Sequence, residues 1–123
     1  MAQRSEFTPA ELEYLQHGRK LGRIATVGKD GTPHVVPTGW RYNPEQHTLD
    51  VTGRDVASTR KFRDVQRHPR ASIVIDDIAS LNPFTPRAVE VRGRAEAVAA
   101  EGLIRIHPEH VVSWGLVPAG ASQ

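Results

Sequence analysis

From Leu21 to Gly53 the chain reads LGRIATVGKDGTPHVVPTGWRYNPEQHTLDVTG, in which β-branched and aromatic residues alternate with polar ones. Two turn signals, Lys29-Asp30-Gly31 and Asn43-Pro44, divide the run into three segments, which predicts a three-strand meander. SIVIDDI and AVEVRGRAEAV are two further strand candidates, and LIRI and HVVSW are shorter ones near the end. Asp76-Asp77 falls at the end of the fourth run and reads as a solvated turn. Asn82 to Pro86 (NPFTP) reads as a loop, and residues 117–123 as a frayed tail.

Two segments break the alternation. FTPAELEYLQHG opens with a capping box, with Thr8 as N-cap, Pro9 at the first helical position and Glu11 reaching back, so a helix is expected near residues 8–18. VASTRKFRDVQRHP has no period of two, spaces Phe62 and Val65 three apart and stops at Pro69, which predicts a short helix near residues 58–67. Six to seven short antiparallel strands with two helices make a mainly β protein. A closed or partly closed barrel is favoured over a sandwich, because an open sheet this small leaves its edges unpaired.

At 123 residues the chain has the size of one domain, spanning 1–123. Its 38% hydrophobic and 24% charged residues are ordinary for a globular protein, and no apolar run is long enough to cross a membrane. The first 20 residues lack the apolar core of a secretory signal, so the cytoplasm is the expected compartment. There is no cysteine, so any electron transfer would fall to a bound cofactor.

Charge changes the picture at one place. Thr52 to Ser72 holds six cations (Arg54, Arg60, Lys61, Arg63, Arg67, Arg70) against Asp55 and Asp64, a net +4 in a chain whose total is +2. A helix capped by Ser58 or Thr59 would carry Arg60 and Lys61 in its first turn, where the macrodipole disfavours cations by about 0.3 to 1 kcal/mol each. A phosphate there would reverse the sign, drawing on backbone amides, the two hydroxyls and the Arg54, Arg60 or Lys61 side chains. The residues alone leave open a solvated basic helix whose cations pair with nearby acids, and Arg63, Arg67 and Arg70 fit that description.

The hairpin motif DG-PH-VP and the later STRK...R-HPRAS, with RAVEVRGRAEAV beyond them, resemble the pyridoxamine 5'-phosphate oxidase-like split β-barrel superfamily over about Leu12 to Leu116. The likeness is to its actinobacterial branch associated with the deazaflavin coenzyme F420. The resemblance implies a homodimer with a flavin or deazaflavin at the subunit interface. It implies a phosphate surrounded by Ser58, Thr59, Arg60 and Lys61, with Thr52 and Arg54 beside it. Val36, Pro37 and Thr38 would line the ring, although plain strand packing also accounts for Val36 and Thr38. Trp40 and Trp114 suit ring stacking or, as strand aromatics more often do, the core. The chain lacks the long C-terminal extension of the true pyridoxamine phosphate oxidases, so vitamin B6 oxidation is not expected.

The resulting expectation is an oxidoreductase delivering hydride from reduced coenzyme F420 to an unsaturated organic substrate. FMN is the alternative cofactor, since it shares the ribityl phosphate, and a non-catalytic cofactor carrier is the alternative role. Arg54, Arg63 or Arg87 would suit the acidic tail that F420 adds. Binding of RNA is not expected, because Phe62 is the one aromatic in the basic stretch and reads as core. His107-Pro108-Glu109-His110 lacks zinc-motif spacing, and no metal is expected. Neither a dinucleotide fingerprint nor a nucleophile elbow is present.

Overall fold

The computed structural model describes residues 4–17 and 20–117. Six strands, β1 (Gly22–Val27), β2 (Pro33–Asn43), β3 (Thr48–Thr52), β4 (Arg70–Leu81), β5 (Phe84–Val98) and β6 (Leu103–Trp114), pair antiparallel into a closed barrel. The order around it is β1-β2-β3-β6-β5-β4, and β4 returns to β1. The period of two turns one set of side chains inward. Ile24, Leu49, Val51, Ile73, Ile75, Val89, Val91, Ile104 and Ile106 fill the interior and are fully buried.

Helix α1 (Pro9–Gln16) forms where the capping box predicts: Thr8 Oγ1 accepts from the Glu11 amide, and Glu11 Oε1 accepts from the Thr8 amide. Its expected end at Gly18 lies outside the described residues. Helix α2 (Arg60–Arg67) joins β3 to β4, with Phe62 and Val65 driven into the core.

Three local expectations are corrected. LIRI and HVVSW are one strand, β6, because a bulge carries the pairing past Pro108. Arg92 faces His110 and Gly93 faces Pro108, leaving Glu109 as the extra residue. Proline is tolerated there because a bulge needs no regular ladder donor. Gly93 makes the close approach possible, since a Cβ would stand 2.0 Å from the His107 carbonyl oxygen. Second, NPFTP is a tight hairpin and not an open loop, with Leu81 pairing Phe84 and Ile78 pairing Pro86. Third, Asp76 and Asp77 therefore sit within β4, where Asp77 accepts from Tyr14 Oη (2.7 Å) and from Arg87 Nε (3.0 Å) and Nη2 (2.6 Å). Of the expected tail, residues 118–123 lie outside the described residues.

Glu11 ties the N-terminal segment to the barrel. Burial would push its carboxyl up, but Arg4 (2.7 and 2.8 Å), the Ser113 hydroxyl and the Thr8 amide together hold it down at about 2. A carboxylate with a depressed folded-state pKa stabilises the fold above its ordinary range and loses that contribution as the pH falls toward about 2. Glu11→Gln should therefore flatten the acid side of a Tm-against-pH curve between about pH 5 and 2. Parallel curves for the two proteins would show that Glu11 makes no such contribution.

Candidate functional site

The site begins where β3 ends. After Thr52 the chain passes through a single 3-10 turn, Val56–Ser58, and Thr59 then caps α2 with extended backbone (φ −87°, ψ 159°). Thr59 Oγ1 accepts from the Phe62 amide (3.4 Å) and donates to the Val56 carbonyl (2.6 Å). With Phe62 and Val65 anchored below, the start of the helix is fixed from two sides. The Arg60 and Lys61 amides meet no backbone carbonyl among the described residues, as expected in a first turn. That turn holds no acid.

Five of the expected residues meet around one cleft of about 250 Å³: Val36 and Pro37 from β2, and Thr59, Arg60 and Lys61 from the helix start. Thr26 and His34 complete its wall. Lys61 is half-buried, no carboxylate pairs with it among the described residues, and burial pushes its ammonium below the ordinary lysine value. A desolvated cation beside first-turn amides could hold an anion, and Val36 and Pro37 add an apolar wall against which a flat ring could lie.

A groove of about 550 Å³ lies alongside, lined by Lys29, Asp30, His34, Arg60, Arg63, Asp64 and Arg67, and shares His34 and Arg60 with the cleft. Its acids are occupied. Asp64 is buried and accepts from Thr26 Oγ1 (2.8 Å) and His34 Nδ1 (2.9 Å), with Arg67 at 3.5 Å. Burial would raise the Asp64 carboxyl, but these partners outweigh it and hold it below the usual range. Asp30 accepts from the Thr32 amide (3.0 Å) within its turn. The groove therefore presents an excess of positive charge.

The remaining expected residues lie apart from the cleft wall. Thr38 is buried, with its hydroxyl donating to the Gly39 carbonyl (3.1 Å). Thr52 pairs with Gly39 at the end of β3. Ser58 is exposed, and its carbonyl accepts from Arg63 (3.0 Å). Arg54 is exposed on the turn before the helix. Arg70 is paired with Glu109 (2.8 Å) and Arg87 with Asp77. Trp40 packs against the core and donates from Nε1 to the Lys20 carbonyl (2.8 Å), whereas Trp114 is exposed at the end of β6.

Sequence reasoning missed Thr26, His34 and Lys29. The hairpin supplied a signal, because Thr26 pairs with His34 across β1 and β2, and His34 shares a strand face with Val36 two residues on. Phe62 is core, so the basic stretch exposes no aromatic ring. His107 pairs with Glu96 (3.0 Å), and among the described residues no three His, Asp or Glu side chains converge to hold a metal ion. None of the described helices is long and apolar enough to cross a membrane.

Known proteins share the fold. Residues 8–114 match the family model described as pyridoxamine 5'-phosphate oxidase. A 5a,11a-dehydrotetracycline/5a,11a-dehydrooxytetracycline reductase of Streptomyces rimosus is 39% identical over 120 residues, spanning 89% of this chain and 84% of that protein. Among solved structures, a conserved hypothetical protein of Mycobacterium tuberculosis superposes with a TM-score of 0.69 at 20% identity, over 94% of this chain and 90% of its own. A protein titled F420 reductase does so with a TM-score of 0.61 at 21% identity, over 81% of this chain and 94% of its own. The barrel, the extent of the family match and the 39% relative lead to one assignment: this chain belongs to the pyridoxamine 5'-phosphate oxidase family of split-barrel oxidoreductases.

Proposed function

We propose that the protein binds the deazaflavin coenzyme F420, with its phosphate at the start of α2, and reduces an unsaturated organic substrate. The observation that carries this reading is Lys61, half-buried in an apolar-walled cleft beside two amides and a cation that have no partner among the described residues. The residues present fit a phosphate followed by a planar ring. Lys61, Arg60 and the first-turn amides would hold the phosphate, and Val36 and Pro37 would support one face of the ring. Bound and reduced, such a cofactor supplies a hydride to one carbon of a C=C bond while a proton reaches the other, and is itself oxidised by two electrons. The protein's part is to hold, orient and exclude water.

FMN shares the phosphate, so the cleft alone serves either cofactor. The adjoining groove favours the deazaflavin. Lys29, Arg63 and Arg67 add cations beyond the needs of one phosphate and suit an acidic oligoglutamate tail. Of the three cations expected for that role, Arg63 lines the groove, whereas Arg87 is tied to Asp77. The 39% identical relative acts on dehydrotetracyclines, which makes a conjugated polycyclic ketone the substrate class to try first.

The proposal includes a homodimer. A cleft of about 250 Å³ falls below the roughly 300 Å³ at which small-molecule sites begin, which supports a site that a second chain completes. Val35, Val36, Ile78, Leu81, Phe84 and Trp114 are exposed apolar residues of a kind that an interface covers. A second copy would bury them and complete the cleft, and a dimeric mass is expected in solution. Turnover is tested by mixing reduced F420 with polycyclic enones in the absence of air. Oxidation of the cofactor matched one to one by reduced product supports an enzyme. Tight binding with no oxidation by any enone would indicate a carrier.

A further inference from the structure

The reading above leaves unused the one side chain that the cleft and the basic groove share besides Arg60, namely His34. Its placement is specific. Nδ1 lies 2.9 Å from Asp64 Oδ2, an oxygen that also accepts from Thr26 Oγ1 at 2.8 Å. The far edge of the ring lies over Gly28, where an added Cβ would stand 2.4 Å from Cε1 and 3.0 Å from Nε2. Glycine at that position is thus what lets the imidazole lie against the turn of the β1–β2 hairpin.

The tautomer follows from the partner. Asp64 is held ionised by its surroundings, so it can only accept, and Nδ1 must carry the proton of that bond. Nε2 then presents a lone pair when the ring is neutral and an N–H donor when it is charged. Nε2 has no hydrogen-bond partner among the described residues, and the side chain is 30% exposed at the junction of the two cavities. The charged groups facing it are Lys29 and Asp30 from the hairpin turn, and Arg60, Lys61, Arg63, Asp64 and Arg67 from α2.

We propose that His34 is an anion-contacting residue of this site and makes its affinity depend on pH. The inference rests on the proposed function. As an anionic ligand enters, Nε2 takes a proton from solvent and donates it in a charge-assisted hydrogen bond to a ligand oxygen, while Asp64 and Thr26 hold the ring in place. With the ring neutral, the lone pair faces the anion and that contact is lost. His34 is thus a ligand-binding residue, and Asp64, which acts through it, is a positioning residue.

His34→Asn separates the two roles, because its amide occupies the place of Nδ1 and can still donate to Asp64 while the Nε2 arm is removed. Affinity for coenzyme F420 is measured for both proteins at about pH 6 and about pH 8.5, and the ratio of the two cancels any titration of the ligand itself. The expected result is binding about tenfold weaker in His34→Asn at the lower pH, with the gap closing at the higher one. His34→Gln, which cannot titrate, should bind with an affinity that no longer follows that of the unsubstituted protein across this range. An affinity equal to that of the unsubstituted protein at both pH values in either folded variant, with Lys61→Met still impaired, would overturn the role of His34 and leave the function standing. Failure of the unsubstituted protein to bind F420 would overturn both.

Discussion

Replacing Lys61 with Met is expected to weaken F420 binding by about tenfold to a hundredfold, the worth of a charge-assisted hydrogen bond to a phosphate. The same change should raise, not lower, the melting temperature of the free protein. Burial depresses the Lys61 pKa and no carboxylate offsets it, so the charged side chain costs the folded state stability below its folded-state pKa, a cost that fades as the pH rises through it. Methionine fills similar space without the charge. Opposite signs for binding and stability are the signature of a residue kept for a ligand. Isothermal titration and a thermal melt on the same two proteins measure both. Unchanged affinity would remove Lys61 from the phosphate site, and a lowered Tm would show that its ammonium is satisfied within the chain.

Arg105→Leu should cost about 3 to 5 kcal/mol of stability, because it strands a buried carboxylate. Asp50 and Arg105 face each other across β3 and β6, both buried, with Arg105 Nε 3.2 Å from Asp50 Oδ1 and Nη2 3.4 Å from Oδ2. Burial would raise the Asp50 carboxyl, but Arg105, Asn43 and Thr48 together hold it down. Without Arg105, Asn43 (3.0 Å) and Thr48 (2.9 Å) are left to support the charge, with Arg41 4.0 Å away at the surface. Adding Asp50→Leu should recover most of the loss, since two packed apolar residues avoid the desolvation that one uncompensated charge suffers. The consequence reaches the site, because β3 carries the chain to the turn that sets Thr59 and the start of α2. Denaturant midpoints at constant slope measure the effect. A loss below about 1 kcal/mol would mean that water reaches Asp50 in the variant.

Local patterns in the sequence account for the parts of the fold that local rules govern. The Thr8-Pro9-Glu11 box, the Lys29-Asp30-Gly31 turn and the stop at Pro69 each depend on a few neighbouring residues, and each appears in the structure. Pro108 and the polar run at Asp76-Asp77 misled for the opposite reason. A bulge opposite Gly93, the ion pair of Asp77 with Arg87 and the hydrogen bond it accepts from Tyr14 are made by residues distant in sequence, which keep a strand going where its own residues argue for a break. The site divides the same way. Arg60 and Lys61 stood out because their charge contradicts the helix dipole, a conflict visible within one turn. Thr26 and His34 gave no such conflict, since their importance comes from Asp64, which reaches them from α2 across 38 and 30 residues of chain.

The central claim is that the cleft beside α2 is a deazaflavin site, and an equilibrium titration tests it most directly. The purified protein is titrated with coenzyme F420 and separately with FMN, followed by quenching of Trp40 and Trp114 fluorescence. The account predicts saturable F420 binding in the micromolar range and much weaker binding of FMN. Tighter binding of FMN would contradict the cofactor assignment, and binding of neither would reduce Arg60 and Lys61 to a solvated basic helix start.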